Sequence, residues 1–136
     1  MQLGATFTNT GVGLDFAVIR RIAQELEATG FGAIATNDHV VGAHPDRSDG
    51  VVMNTVHTPV HEPIVLLSMI AAVTERVELV SSIIIAPQRQ TVLLAKQAAQ
   101  LDLLSGERLR LGLGVGRNWI EYEALNEDFR TRGRRI

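Results

Sequence analysis

The chain has 136 residues, 46% of them apolar and 21% charged, which indicates one globular domain over residues 1–136 and excludes a disordered chain. Its formal net charge of −2 argues against nucleic acid as a partner, because phosphates call for a basic face. There is no cysteine, no visible signal peptide and no apolar run long enough for a bilayer, so we expect a cytoplasmic protein without disulfides or a membrane partner.

Apolar runs alternate with helical patterns from the first residues onward. Gln2–Phe7 is predicted to form the first strand. Asp15 is predicted to cap a helix that runs to about Thr29, with Gly30 as its stop. The short apolar run Phe31–Thr36 is predicted to form the second strand.

A long polar segment, Asn37–Pro59, follows the second strand, and a loop of this length in a compact domain is usually functional or mobile. Pro63 then opens an apolar helix, because proline is favoured in the first helical turn. Arg76–Ala86 is rich in β-branched residues and ends at Pro87, which predicts the third strand.

The last third of the chain repeats the alternation. Thr91 is predicted to cap a third helix and Gly106 to end it. Arg108–Gly116 is predicted to form the fourth strand, and a short helix over Trp119–Asn126 leads into a charged tail.

This alternation predicts an α/β fold with parallel strands joined by crossovers. Two architectures are compatible with it, a (β/α)8 barrel and an open doubly wound sheet. A complete barrel takes about 250 residues, and this chain supplies about four βα units. Its length therefore favours a small open sheet or half of a barrel.

The fourth strand has two unlike faces. One face carries leucine and valine, which predicts an apolar wall for a covering helix. The other is nearly bare, so either a group approaches its backbone closely or large neighbouring side chains fill the space. The faces are Leu109, Leu111, Leu113 and Val115 on one side, and Arg110, Gly112, Gly114 and Gly116 on the other.

The spacing of these glycines does not match a dinucleotide-binding fingerprint, which opens the first βα turn. Backbone N–H groups exposed between this strand and the next helix could still hold a phosphate.

Histidines and acids are concentrated around the long loop. Such side chains suit zinc or non-haem iron. They lie mostly in one loop, however, and a solvated loop with His61 capping the next helix is the simpler interpretation, so we predict no metal. The group comprises His39, His44, His57 and His61 with Asp38, Asp46, Asp49 and Glu62.

Asp38 and His39 differ from the rest by position. They follow a predicted strand, and the carboxyl ends of parallel strands are where α/β proteins form their sites. A nearby carboxylate can also set the tautomer of an imidazole. The pair is therefore a candidate site.

Three stretches carry a family resemblance: "ATGFGAIATNDHVV", the segment Glu62–Leu125, in which Leu79–Gly116 is the most specific part, and "DFRTRGRR". Together they resemble the luciferase-like monooxygenase superfamily, in particular its coenzyme F420-dependent (deazaflavin) oxidoreductases. The resemblance implies a TIM (β/α)8 barrel of which this chain covers about the first four βα units. It further implies a partial chain, or one whose barrel another chain completes.

The resemblance also implies a cofactor site. His39 matches the family histidine near the reactive face of the ring, which would handle a proton. Asp38 matches its acidic neighbour, which contacts the coenzyme and would hold His39. A non-prolyl cis peptide that backs the ring matches Ile83–Ile84, or one residue earlier.

The loop after the fourth strand is implied to reach the coenzyme side chain; it consists of Gly116, Arg117 and Asn118. One position departs from the family. Trp119 stands where some sugar-phosphate dehydrogenases carry a proton-donating glutamate, and neither Glu121 nor Glu123 is assigned that role.

Three functions follow from the resemblance. The first is an oxidoreductase that moves a hydride between coenzyme F420 and a small organic substrate, with His39 as the catalytic group. The second is an FMN-dependent monooxygenase of the same barrel type. The third is a non-catalytic half-barrel that serves as a partner subunit. A homo-oligomer, or a chain that completes the barrel, is the implied assembly.

Overall fold

A computed structural model of the chain describes residues 3–7, 13–47 and 55–136. Gln2, in the predicted first strand, and Asp49, in the polar loop, lie outside these ranges. The strands are Gly4–Thr6 (β1), Ala33–Thr36 (β2), Glu78–Ile85 (β3) and Leu109–Gly114 (β4). The helices are Phe16–Ala28 (α1), Pro63–Ala71 (α2), Thr91–Ser105 (α3) and Trp119–Ala124 (α4), with 3-10 turns at Pro45–Arg47, Ala86–Gln88 and Phe129–Arg134.

The four strands form one parallel sheet in the order β1-β2-β3-β4. Each strand therefore pairs with its neighbour in sequence, and the predicted α/β fold is confirmed. A doubly wound sheet reverses its strand order at a switch point, whereas a barrel adds strands in one direction. The described sheet has the order of a barrel segment.

The apolar core lies where the helices cover the sheet. Helix α2 packs against α1, α3 and β3, and its mostly apolar surface explains why it sits at the centre. Burying a leucine or isoleucine side chain contributes about 1.5–3 kcal/mol. The core residues are Phe7, Ile19, Ala23, Ile34, Ile64, Leu66, Leu67, Ile70, Val77, Leu79, Ile84, Leu94 and Leu101.

The predicted ends of α1 and α3 are confirmed at three of four positions. Asp15 caps α1 by accepting a hydrogen bond from a backbone N–H two residues on, at 2.8 Å. Gly30 and Gly106 follow the two helices with positive φ angles of 92° and 74°. The prediction that Thr91 caps α3 is wrong, because Gln90 does so through its side-chain oxygen and Thr91 is the first helical residue.

Helix α2 also has a different cap from the one expected. Glu62 accepts a hydrogen bond from the N–H of Val65 at 2.7 Å, and Pro63 occupies the first turn as predicted. His61 does not cap this helix. Its Nε2 atom instead lies 2.9 Å from the carbonyl oxygen of Gly13, just before α1.

Two charged side chains hold the turn that leads into β3. The carboxylate of Glu27 accepts hydrogen bonds of 2.7–3.2 Å from the backbone N–H groups of Glu75, Arg76 and Val77. The guanidinium of Arg108 donates to carbonyl oxygens of the same turn and of the ends of α2 and α3. Backbone groups with no partner in a strand or helix are satisfied in this way, which fixes where β3 begins.

The predicted apolar wall on β4 is only partly covered. Leu109 packs against the core, but Leu111 and Leu113 are 39% and 45% exposed. The following helix, α4, has six residues and does not cover them. None of the helices in the described ranges is both long and apolar enough to cross a membrane.

Candidate functional site

A cleft of about 230 Å³ opens at the carboxyl ends of β2, β3 and β4. Because the strands are parallel, the segments that follow them meet at the same edge of the sheet. Six of the seven residues predicted for the site line this cleft. They are Asp38, His39, Ile83, Gly116, Arg117 and Asn118.

Ile84, the seventh, does not line the cleft. Its side chain is fully buried in the apolar core under the helices, so the expectation that it contacts a cofactor is wrong. The pairing of β3 with β4 shifts between Ser81 and Ile84, and this irregularity changes which side chains face the core. A cis peptide bond joins Ser82 to Ile83. This is the second of the two expected positions, one residue before Ile83–Ile84.

The bare face of β4 is filled by β3. A Cβ atom added at Gly112 would lie 2.4 Å from the backbone oxygen of Ser81. At Gly114 it would lie 2.7 Å from the side chain of Ile83, and at Gly116 2.9 Å from that of Ile85. Neighbouring side chains therefore occupy much of the space, as one of the two interpretations expected, and the cleft lies beyond them.

Asp38 is held by Arg89. The side chain of Asp38 has no exposure, and its oxygens accept hydrogen bonds from Arg89 at 2.7 and 3.3 Å and from the N–H of Ile85 at 2.9 Å. Burial lowers the pKa of Arg89, but the hydrogen bond and charge of Asp38 and those of Glu62 outweigh it and leave the pKa above its usual value. The expectation that Asp38 holds His39 is wrong, because Asp38 points toward the end of β3.

The partner of His39 is Glu121. The distance from His39 Nδ1 to Glu121 Oε1 is 2.8 Å, and the other carboxylate oxygen accepts a hydrogen bond from Gln88 Nε2 at 3.2 Å. Glu121 has no exposure, whereas the side chain of His39 is 21% exposed toward the cleft. A histidine and a buried carboxylate thus meet although 82 residues separate them.

The loop after β4 brings the third group of residues to the cleft. Gly116 has a φ of 63°, and Asn118 caps α4 by accepting a hydrogen bond from the N–H of Ile120 at 3.2 Å. The hydroxyl of Tyr122 donates to the carbonyl oxygen of Val115 at 2.5 Å, which fixes the helix against the end of the strand. Arg117 lies in the cleft wall.

The remaining histidines lie apart from this cleft. His44 contacts Asp46 at 3.5 Å in the loop, where both side chains are exposed. His61 contacts Gly13, as described above, and His57 is also exposed. Among residues 3–7, 13–47 and 55–136, no three histidine, aspartate or glutamate side chains meet in a group that could hold a metal ion.

Sequence patterns missed Arg89, Gln88 and Glu121. Gln88 and Arg89 follow β3 in a segment that looks like an ordinary loop, so only the fold brings them to Asp38 and Glu121. One local signal existed for Glu121. It is an acid between Ile120 and Tyr122, both buried in the structure, and a buried acid usually has a specific partner.

Comparisons with known proteins identify the family of the chain. The family model of luciferase-like monooxygenases matches residues 2–136. An uncharacterised protein of Mycobacterium tuberculosis is 32% identical over an alignment of 130 residues that covers 90% of this chain and 44% of that protein. The chain therefore spans less than half the length of this relative.

Solved structures share the fold. The monooxygenase RslO1 of Streptomyces bottropensis superposes with a TM-score of 0.78 and 23% identity, over 99% of this chain and 39% of that one. The coenzyme F420-dependent tetrahydromethanopterin reductase of Methanopyrus kandleri gives 0.66 and 20%, over 94% and 30%. The oxygenating constituent of 3,6-diketocamphane monooxygenase of Pseudomonas putida, in complex with FMN, gives 0.72 and 16%, over 98% and 36%.

The sheet order and these likenesses agree that the described chain is one part of a TIM-type barrel. Since the family model matches almost every residue, the chain belongs to the luciferase-like monooxygenase family.

Proposed function

We propose that the chain forms the cofactor-binding part of an oxidoreductase that transfers a hydride between coenzyme F420 and a small organic substrate. The observation that carries the proposal is the convergence of His39, Ile83 and the loop Gly116–Asn118 on one cleft. These residues come from the ends of three parallel strands. Active sites of barrels of this kind lie at that face.

The lining of the cleft suits a flat ring with a polar side chain. Ile83 and Ile85 give it an apolar floor, and a ring of aromatic character stacks well on such a surface. Arg117 and Asn118 lie at the same cleft and offer a positive charge and hydrogen-bonding groups to a phosphate-bearing chain. The volume of about 230 Å³ is below the usual range for a complete cofactor, so further βα units would supply the rest of the wall.

When bound, the deazaflavin would supply the hydride chemistry, and the protein would orient the ring and handle a proton. His39 reaches the cleft with part of its titratable ring exposed, so we assign to it the transfer of the proton in the reaction. Asp38 is occupied by Arg89. Its role would be to hold the segment after β2, and any contact with the coenzyme would be made at the edge of the cleft.

FMN is the second candidate cofactor, with a monooxygenase as the corresponding activity. The FMN-containing monooxygenase of Pseudomonas putida shares the fold over 98% of this chain. The apolar floor formed by Ile83 and Ile85 suits either ring. Discrimination between F420 and FMN would therefore depend on the polar groups that bind the side chain of the cofactor.

Titration of the purified chain with each cofactor tests the proposal. We expect coenzyme F420 to bind with a change in its fluorescence, and FMN to bind at least about 10-fold more weakly, a difference of about 1.4 kcal/mol. Tighter binding of FMN would favour the monooxygenase. If neither cofactor binds, with or without a partner chain that completes the barrel, the chain is a non-catalytic half and the proposal fails.

Replacement of the histidine tests its role separately. In a protein with the complete barrel, we expect His39→Ala to lower turnover by about 100-fold or more while the coenzyme still binds. His44→Ala is the matched control, because that histidine is exposed in the loop and lies outside the cleft. Unchanged turnover in His39→Ala would remove His39 from the mechanism.

A further inference from the structure

We propose that Glu121 is a positioning residue that keeps a proton on Nδ1 of His39 and thereby turns Nε2 toward the cleft. This inference uses the proposed function only to say what the exposed nitrogen is for. The tautomer itself follows from the contacts of the two side chains.

The first step is the direct contact. His39 Nδ1 and Glu121 Oε1 are 2.8 Å apart, and the carboxylate has no exposure. An ionised carboxylate can only accept hydrogen bonds, so Nδ1 must carry the proton when the two are in contact. The hydrogen bond made by one ring nitrogen determines the state of the other. The neutral ring therefore has an unprotonated Nε2.

The second step is the orientation of the carboxylate. Gln88 is buried, with only 6% of its surface exposed, and its Nε2 donates to Glu121 Oε2 at 3.2 Å. Gln88 Oε1 has no hydrogen-bond partner within the part of the chain that the structure describes. If the amide were flipped, Gln88 Oε1 would face Glu121 Oε2, and two hydrogen-bond acceptors would be in contact. Gln88 thus holds the second oxygen, and Glu121 keeps the first for His39.

The third step is the backbone that carries Glu121. Helix α4 is capped by Asn118 at its start, and Tyr122, the next residue after Glu121, is anchored to the carbonyl oxygen of Val115. The side chain of Glu121 therefore projects from a short helix held at both sides. The fold has already restricted both side chains, so the contact between histidine and carboxylate costs little further conformational freedom.

A second contact joins the same two segments at the surface. Arg47, in the loop after β2, pairs with Glu123 at 2.8 Å, and both side chains are about half exposed. Exposed pairs contribute little to stability, about 0–1 kcal/mol. Glu123 is thus a matched control for Glu121. It lies on the same helix, has the same charge and contacts the same loop, but it does not contact His39.

Nitrogen NMR of the purified chain, labelled in its four histidines, measures the tautomer directly. The spectrum distinguishes protonated from unprotonated ring nitrogens, and the His39→Gln variant identifies the signals of His39 by their absence. At alkaline pH we expect Nδ1 of His39 to be protonated and Nε2 unprotonated. Free histidine in water prefers the opposite tautomer, so the expected pattern is diagnostic.

Two variants complete the test. In Glu121→Leu the acceptor is gone, and we expect Nδ1 of His39 to lose its proton in favour of Nε2. Removing one partner of a buried ion pair is destabilising, so a melting curve first establishes that the variant folds. In Glu123→Leu we expect the tautomer of the wild-type chain.

The inference is overturned if Nε2 is the protonated nitrogen in the wild-type chain, a result that needs no variant. It is also overturned if folded Glu121→Leu keeps the wild-type pattern. Cofactor binding is a separate measurement: a chain with the expected tautomer that binds no cofactor would refute the proposed function and leave the role of Glu121 intact.

Discussion

Arg89 and Asp38 form a buried ion pair in which two guanidinium nitrogens lie 2.7 and 3.3 Å from the aspartate oxygens. The pair joins the segment after β2 to the segment after β3, and Arg89 also contacts Glu62 at the start of α2 at 2.8 Å. Three segments of the chain, two of which border the cleft, are therefore tied to one side chain.

Removal of this guanidinium is the first prediction. In Arg89→Met the carboxylate of Asp38 stays buried and keeps only the N–H of Ile85, so we expect a loss of about 3 kcal/mol in the free energy of unfolding. Urea unfolding at neutral pH measures it. Arg110→Met is the control, because Arg110 pairs with Glu78 at the surface, and we expect about 0.5 kcal/mol or less there. Equal losses in the two variants would contradict the structural role of Arg89.

The second prediction concerns acid stability. Burial raises the pKa of Glu27, but hydrogen bonds from the N–H groups of Arg76, Val77 and Glu75 and the charge of Arg76 outweigh it and lower the pKa below its ordinary value of 4.5. A lowered pKa means that the unfolded chain binds the proton more readily. The stabilisation is thus complete above pH 4.5 and is lost as the pH falls through the lower folded value.

Glu27→Gln tests this. We expect the variant to be less stable by about 1–2 kcal/mol at neutral pH and the difference to shrink as the pH falls below 4.5. Glu25→Gln is the control, since Glu25 is exposed on the same helix. Urea unfolding across acid pH provides the comparison, and a difference that stays constant with pH would exclude the proposed cause.

The third prediction concerns the close approach of the loop after β4 to the end of β3 at the cleft. Gly116 has a φ of 63°, and a Cβ atom there would lie 2.9 Å from Ile85 Cγ2. An L-residue in this conformation costs roughly 1–2 kcal/mol, and the crowding of a buried isoleucine adds to it. We therefore expect Gly116→Ala to lower stability by about 2 kcal/mol and to weaken cofactor binding.

Gly133→Ala is the matched control, because no heavy atom lies within 4 Å of its added Cβ. We expect a change within about 0.5 kcal/mol. Thermal unfolding and cofactor titration of both variants give the comparison. If Gly116→Ala is as stable as the wild-type chain, the approach of Ile85 is looser than the structure indicates.

The sheet could be predicted from the sequence because its signals are local. Alternating apolar runs and helix ends marked by Asp15, Gly30 and Gly106 require no knowledge of distant contacts. The position of Asp38 and His39 after β2 likewise followed from the rule for parallel strands. The partners of these two side chains could not be predicted. Arg89 and Glu121 reach them only because β3, β4 and α4 end at the same edge of the sheet.

Three local predictions, those for Thr91, His61 and Ile84, failed for identifiable reasons. Thr91 and His61 each lie within one residue of the true cap, and the caps are Gln90 and Glu62, whose side-chain oxygens accept hydrogen bonds from backbone N–H groups of the first helical turn. Ile84 was assigned to the cleft because the resemblance matched the cis peptide to Ile83–Ile84. The structure has this peptide at Ser82–Ile83, and the shift in pairing between Ser81 and Ile84, which no composition pattern marks, leaves the side chain of Ile84 in the core.

The last prediction uses the single tyrosine of the sequence, Tyr122, as a reporter for α4. Burial raises the pKa of its phenol above 10.0, although the charges of Arg135 and Arg132 act in the opposite direction. We expect the absorbance of tyrosinate to develop above pH 10.0 in the folded chain and closer to 10.0 in denaturant. Because the folded pKa is raised, the corresponding stabilisation is complete below pH 10.0 and is lost as the pH rises through the folded value.

The variant Tyr122→Phe lacks both the absorbance signal and the hydrogen bond to Val115. We expect its free energy of unfolding to be lower by about 1 kcal/mol at neutral pH and to fall less steeply at alkaline pH. An ordinary titration midpoint in the native chain would mean that the hydroxyl is solvated and that α4 is not anchored to the end of β4.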